Sequence, residues 1–339
     1  MNSSRKSWFG SNGFKVLAGL GLALLVASCT SRPQDVYIKG DTMGTFYTVR
    51  FWSDRGISTQ KLTTGFDKLL DDFESELSNW RLDSWVNQFN SAPAGESVPV
   101  PNLAFEVISL CIDLAKSSDG MLDPTISPLI ELWGFGTDKK RAIPDSEVIA
   151  EQLDLVGIQK LQLDPVNRTL LKTVGGLQVN FSAVAKGFAV DLLAERLMDE
   201  GVENFLINIG GEVRAQGLDL DHTPWRVGIN QPLQSGRNVR SKQSIELHNH
   251  SLATSGHSQR TFFYEGKRYS HILNPKTGQP VPTEIAAATV VATSCALADG
   301  LATLALILNE TEMDELLESY DSVEVFRTKW VVENIALNN

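Results

Sequence analysis

After Ser58 apolar residues recur at the helical period, at Leu62, Phe66, Leu69, Leu70, Phe73 and Leu77, which predicts an amphipathic helix with one face in the core. A second helix is predicted after Pro101, running through Phe105, Ile108, Leu110 and Leu114 to Gly120, with proline near its start and glycine at its stop. Asp145 to Leu155, Ala183 to Glu200 and Ser294 to Leu308 complete the predicted helices. Between them the pattern alternates. Tyr37 to Gly40 and Thr45 to Trp52 flank the turn Asp41-Thr42-Met43-Gly44, and Leu161-Gln162-Leu163 and Thr169-Leu170-Leu171 flank Asp164-Pro165-Val166-Asn167. Both read as hairpins. Further strands are predicted at Leu177 to Phe181, Asn204 to Ile209, Glu212 to Gln216, Arg226 to Ile229, Ser244 to Leu247, Thr261 to Tyr264, Lys267 to Ile272 and Ala287 to Ala292. The fold class is α+β, with a mixed, mainly antiparallel sheet and flanking helices.

The first residues follow another pattern. Arg5, Lys6 and Lys15 form a basic region, Val16 to Val26 an apolar one, and small residues lead to Cys29, so residues 1–28 read as a signal peptide. The apolar run is short for a membrane span, which needs roughly 20 residues. Val26-Ala27-Ser28-Cys29 resembles the lipobox of bacterial lipoproteins, in which the cysteine is acylated and becomes the first residue. The expected organisation is a leader (1–28), a lipid-anchored linker (29–36) and one main domain (37–339) with room for two subdomains that meet at the active site. Its expected location is a bacterial membrane, facing the periplasm, the inner membrane before the outer.

The formal charge of the 339 residues is −11, and removing the leader's three cations makes it more negative. Such acidity argues against nucleic-acid partners and against docking on anionic lipid through a basic patch. Cys111 and Cys295 sit in apolar helical patterns without metal-ligand spacing, and read as buried small hydrophobes rather than as a pair.

Five places along the chain can carry chemistry. Arg268 to Pro280 places His271 at the end of a short strand, before a turn built from Asn274-Pro275 and Thr277-Gly278, where an imidazole is well presented. Asp299 and Thr303 lie one helical turn apart, so a carboxylate and a hydroxyl can share a hard cation such as Mg2+. Alone, such a pair is more often a surface aspartate beside a threonine bonded to its own backbone. Asn180-Phe181-Ser182-Ala183-Val184-Ala185-Lys186-Gly187 runs from strand to helix, so backbone N–H groups and the Lys186 ammonium can meet a phosphate, although the glycines of a Walker loop are missing. Trp80, and the turn Gly120 to Thr125 followed by Leu132-Trp133-Gly134-Phe135-Gly136, suit a planar ligand or the closing of a core. His248 and His250 lack a third ligand and receive no role.

Taken in order, these segments resemble the ApbE-type FAD:protein FMN transferases. The likeness runs through Met43-Gly44-Thr45, Asp123-Pro124-Thr125, Trp133 to Gly136, Ser182 to Gly187 with Asp191, Ile209 to Glu212, Ala253 to Gly256, Ser270-His271-Ile272 with Pro275 and Thr277-Gly278, and Ala298-Asp299 with Thr303. The resemblance implies an ApbE-like, T-fold-related architecture and a Mg2+-dependent transfer. FAD is the substrate, AMP leaves, and FMN is joined by a phosphoester bond to a Thr or Ser hydroxyl of an acceptor protein. That acceptor would be exported or part of a membrane redox complex, with an aspartate before a Ser/Thr-Gly-Ala/Ser-Thr stretch. By the same resemblance Ala183, Asp299 and Thr303 hold the metal. Met43, Trp80, Met121, Leu122, Asp123, Asn180, Lys186 and Ile272 contact the flavin nucleotide, and His271, with Lys186, is catalytic. His257 rivals His271 as base. Asn180 and Asn274 stand where many members have aspartate, which removes negative charge near the nucleotide. Hydrolysis of FAD to FMN and AMP, or flavin binding without catalysis, are the alternative readings.

Overall fold

A computed structural model describes residues 33–136, 141–235, 238–258 and 260–331. The leader, Cys29 and the first half of the linker lie outside the described residues, and among those described no helix is long and apolar enough to cross a membrane. The chain opens with β1 (Gln34–Thr42), β2 (Thr45–Ser53), α1 (Thr59–Leu77), α2 (Trp85–Ser91), β3 (Val98–Pro99) and α3 (Asn102–Ser117). Next come α4 (Ser127–Leu132), α5 (Ser146–Leu153), β4 (Leu161–Asp164), β5 (Thr169–Lys172), α6 (Ser182–Asp199), β6 (Asn204–Ile209) and β7 (Glu212–Gln216). The last part holds β8 (Trp225–Pro232), β9 (Asn238–Leu247), β10 (Ser251–Gly256), β11 (Thr261–Tyr264), β12 (Lys267–Ser270), β13 (Ile285–Ala292), α7 (Cys295–Ile307), α8 (Glu310–Leu317) and β14 (Glu324–Lys329).

Seven strands form the main sheet in the order β1-β2-β6-β7-β10-β13-β14, with every adjacent pair antiparallel. Three small sheets, β3-β5-β4, β8-β9 and β11-β12, are appended to it. The α+β class, the antiparallel sheet and the flanking helices are as the pattern predicted.

The periodic helices form for the reasons the sequence indicated. Ser58 caps α1 by accepting from the Lys61 N–H, and Leu62, Phe66, Leu70, Phe73 and Leu77 are all buried. Each such side chain contributes about 1.5–3 kcal/mol on leaving water. In the first hairpin Met43 and Gly44 both have positive φ, as a two-residue turn between twisted strands requires. The Met43 N–H and the Thr42 hydroxyl both donate to Glu74 of α1, which ties the turn to the helix layer.

Other expectations are corrected. β1 begins at Gln34, inside the segment read as linker. Leu177 to Phe181 is not a strand: Val179 instead donates its N–H to Asn90 Oδ1 and accepts from the side-chain amides of Asn79 and Asn90, leaving only an isolated bridge between Gln178 and Ile126. β12 stops at Ser270, whose hydroxyl accepts the Ile272 N–H and turns the chain, so His271 lies just past the strand. The short helices α2, α4 and α8 and the strands β3, β10 and β14 were not foreseen.

Helices α6 and α7 pack face to face on the sheet. Gly187 makes this possible: a Cβ there would collide with the Cys295 carbonyl. The close approach lets the Gly187 N–H donate to Asp299 at 3.0 Å. Asp191, one turn further along α6, accepts from the N–H groups of Cys295 and Ala296 at the start of α7 and from Arg214 of β7. Cys111 and Cys295 are both free and buried.

Candidate active site

A cavity of about 460 Å³ opens between the α6–α7 pair, the β6–β7 turn and the segments that follow β10 and β12. Its lining includes Trp80, Met121, Leu122, Asp123, Asn180, Ala183, Lys186, His271, Ile272, Asp299 and Thr303. The structure therefore gathers every residue given a metal, nucleotide or catalytic role except Met43, which does not line the cavity, and Cys29, which is outside the described residues; the rival base His257 and the departing Asn274 also lie outside the lining.

The floor is the helix pair. Asp299 is buried, and burial raises its carboxyl above the usual range; the Lys186 charge opposes that, Glu212 adds to it, and the Gly187 N–H stabilises the anion. Thr303 shares a hydrogen bond of 3.0 Å with Ser255 of β10. Lys186 is ion-paired to Glu212, the first residue of β7 after the Gly210-Gly211 turn. Burial disfavours the Lys186 ammonium, but Asp299 and Glu212 outweigh it and leave its pKa raised, so the lysine is charged at neutral pH. Glu212 Oε2 is buried and has no partner.

Glu212 is the functional residue that sequence reasoning missed. The sequence marks it only as the end of the Ile209 to Glu212 stretch of the family likeness, with no role attached. Its pairing with Lys186 crosses 26 residues and depends on β7 lying against α6.

His271 lines the same cavity from the segment that follows β12. Its Nδ1 is shielded from solvent without a hydrogen-bond partner, and its ring meets the edge of Phe135 at 6.4 Å between centroids. Burial, assisted by the charge of Arg260, lowers its pKa to about 4, so the imidazole is neutral at pH 7. His257 is fully buried, bonds Ser270 Oγ through Nδ1 at 2.7 Å and does not line the cavity. Between the two histidines, geometry favours His271 as the one that meets a ligand.

The remaining lining is structural as much as receptive. Asp123 uses both carboxylate oxygens internally, accepting from the Thr125 N–H and hydroxyl and from the Ile158 N–H. It fixes the turn that presents Met121 and Leu122. Asn180 Oδ1 accepts from the Ser182 N–H at 2.9 Å and from its hydroxyl. Asn274 Oδ1 accepts from the N–H groups of Lys276 and Thr277. Both asparagines thus perform turn-forming work that an aspartate oxygen performs equally. Trp80 is 53% exposed, with the Arg260 guanidinium over its ring at 5.8 Å, and so is free to stack on a ligand rather than sealing a helix end.

Among the described residues no three His, Cys, Asp or Glu side chains cluster as metal ligands. A cation here would rest on one carboxylate (Asp299), one hydroxyl (Thr303) and the backbone oxygen of Ala183. That sparse, hard-oxygen set fits Mg2+, which keeps waters and takes substrate phosphates as its other ligands. The orphaned Glu212 Oε2 fits the same reading, since it needs a donor such as a metal-bound water.

Comparison with known proteins bears directly on this cavity. The ApbE family matches residues 43–327. An FAD:protein FMN transferase of Vibrio cholerae is 36% identical over 296 residues, 87% of each chain. One of Haemophilus influenzae is 33% identical, covering 90% of each. Among solved structures, the flavin transferase ApbE from Vibrio cholerae superposes with a TM-score of 0.79 at 34% identity, over 87% of this chain and 93% of that one. The apo flavinyl transferase ApbE of Pseudomonas stutzeri gives 0.78 at 35% identity, over 87% and 91%.

Proposed function

The chain belongs to the ApbE family, and we propose that it is an enzyme that transfers FMN from FAD to a hydroxyl of an acceptor protein, with release of AMP. The observation that carries this reading is the convergence of Lys186, Asp299, Thr303 and His271 on a single cavity. Phosphoryl transfer needs positioning and charge neutralisation rather than elaborate covalent chemistry, and this cavity offers both.

Lys186, charged and held by Glu212, faces the pyrophosphate and stabilises the charge that grows as the P–O–P bond breaks. Mg2+, held by Ala183, Asp299 and Thr303, would neutralise the phosphate oxygens. Trp80, Met121, Leu122, Asn180 and Ile272 receive the nucleotide, and the Asp123 hydrogen bonds hold that turn in place. His271 accepts the acceptor hydroxyl's proton: its neutral ring presents a lone pair at pH 7, and a bound anion raises its basicity. Export as a lipoprotein anchored at Cys29, with the catalytic unit on the periplasmic side, is supported by the leader pattern alone.

The test mixes the mature protein with FAD, Mg2+ and an acceptor domain bearing the Ser/Thr-Gly-Ala/Ser-Thr stretch, then measures AMP and covalent flavin on the acceptor. Flavin on the acceptor in step with AMP is expected, and its loss in His271→Ala by about 10²–10⁴-fold. AMP at an equal rate without acceptor would instead favour hydrolysis. Neither product would end the proposal.

A further inference from the structure

Ten large hydrophobic side chains are exposed among the described residues, and two pairs lie close in sequence to cavity-lining residues: Trp80, itself in the lining, with Leu82, and Phe263 with Tyr264, three and four residues past Arg260. The second pair caps the β11–β12 hairpin, which pairs with no other strand among the described residues. The base of this hairpin belongs to the site: Arg260 and His271 line the cavity and are joined by the His271 N–H to Arg260 carbonyl bond at 3.1 Å. Its tip does not. Phe263 is 62% and Tyr264 49% exposed, with Glu265 and Gly266 turning at positive φ beyond them. At about 3.3 Å per residue the four-residue strands carry the tip on the order of 10 Å from the base.

The charge is as unusual as the exposure. In a chain of net charge −11, this hairpin and its flank hold Arg260, Lys267 and Arg268 against the single carboxylate of Glu265. Arg268 is packed between Phe263 and Trp330 with its Nη1 buried, and the exposed Lys267 lies over the Tyr269 ring, so aromatic stacking fixes both cations and leaves Lys267 at the surface. Solvent-exposed aromatics beside fixed cations have the composition of a protein-recognition surface rather than of an inert one.

Resting on the functional reading above, we infer that the β11–β12 hairpin tip docks the acceptor protein through an acidic segment flanking the hydroxyl that receives FMN. A protein substrate must seat its hydroxyl beside His271, and the hairpin is the element continuous with that residue and extending outward from it. Apolar contact with Phe263 and Tyr264 anchors the segment. Lys267 selects for its negative charge and steers its approach.

The test compares wild type with Tyr264→Ser, Lys267→Glu and the pair Phe263→Ser/Tyr264→Ser, using the acceptor domain above. The expected result is an acceptor KM raised about five- to tenfold in each, with FAD affinity, read by flavin fluorescence, unchanged. The salt dependence of acceptor KM should weaken in Lys267→Glu. Because Phe263 packs on Arg268, Tyr264→Ser and Lys267→Glu decide the matter if the double variant folds poorly. An acceptor KM unchanged in both, while wild type transfers FMN, would overturn the docking surface and leave the transferase reading intact. Binding of wild type, but not of these variants, to anionic phosphatidylserine vesicles with KM unchanged would likewise overturn it, in favour of a membrane contact. A wild type that labels no acceptor removes the functional reading and this inference with it.

Discussion

The helix pair α6–α7 and the β10–β12 segment both bring charged groups to one cavity, yet they treat their polar atoms differently. On the helix side Asp191 accepts from two backbone N–H groups and an arginine, and Asp299 from the Gly187 N–H. On the other side His257 Nε2, Arg268 Nη1 and His271 Nδ1 are buried without partners. A buried polar atom left unpaired costs about 1–3 kcal/mol, so the second wall carries a strain that the first has removed. The difference suits the proposed chemistry: one side fixes the metal and phosphate positions before substrate arrives, and the other keeps its imidazole lone pair uncommitted. Two atoms on the helix side are exceptions: Arg196 Nε of α6, which is not in the cavity lining, and Glu212 Oε2, which belongs to a lining residue and points to the same need for a ligand there.

The largest effect should come from removing charge on the fixed side without disturbing its packing. Asp299→Asn keeps an oxygen for the Gly187 N–H but loses the anion. Transfer should fall about 10²–10³-fold, the scale of losing one preorganised electrostatic contact. Thermal stability should hold or rise, because the buried carboxylate is costly. Single-turnover AMP release at saturating Mg2+ measures the first, and calorimetry the second. A large drop in Tm would mean that Asp299 is a structural group whose charge the fold requires.

In the β10–β12 segment the corresponding probe is acid. His257 has its pKa lowered from 6.5 to about 4, by burial first and then by the Arg268 charge. Because the folded value lies below the unfolded one, the stabilisation is complete above about pH 6.5 and is lost as pH falls through about 4. It amounts to about 3 kcal/mol. His257→Gln can still bond Ser270 and does not titrate, so its Tm should decline less than that of wild type between those pH values. Asp123 and Asp191, which burial shifts the other way, are common to both proteins and cancel in the comparison. Equal declines would show that the unpaired Nε2 reaches solvent and stores nothing.

Next in size is the seam on which the fixed side depends. Gly187→Ala pushes a methyl into the Cys295 carbonyl and forces α6 and α7 apart, at about 1–3 kcal/mol. Mg2+ affinity, measured by calorimetry, should weaken along with Tm, since the same displacement moves Asp299. The equivalent change on the hairpin, Gly266→Ala, has open space around it and only its positive φ to oppose it.

What the sequence could and could not disclose follows the same division. α1 and α6 were legible because their apolar spacing is local, with an adjacent Ser58 cap for α1, and Asp299 with Thr303 was legible because four residues on a helix fix a shared face. Leu177 to Phe181 misled because its apolar run is held by Asn79 and Asn90, about 90 to 100 residues earlier, and no local signal announces that. β10 and β14 become strands by pairing with β13, not by alternation of their own. Glu212 needed the register of β6 against β7 before it could be placed beside Lys186.

The smallest effect tests whether the asparagines that depart from the family's aspartates matter electrically or only geometrically. Asn180 Oδ1 already accepts the Ser182 N–H at the entrance to α6, and an aspartate oxygen can do the same, so Asn180→Asp should leave Tm nearly unchanged. The added charge stands at a helix N-terminus, which favours it, and beside Ala183 and Lys186, where it attracts a cation and repels a pyrophosphate. Without Mg2+, FAD should bind about two- to fivefold more weakly; with Mg2+ the loss should shrink, because metal binding tightens by a similar factor. Flavin fluorescence titrations at several Mg2+ concentrations separate the two. A change well beyond tenfold would show that this position acts on the substrate through its charge, and that the neutral asparagine tunes the fixed side of the cavity rather than merely shaping its turn.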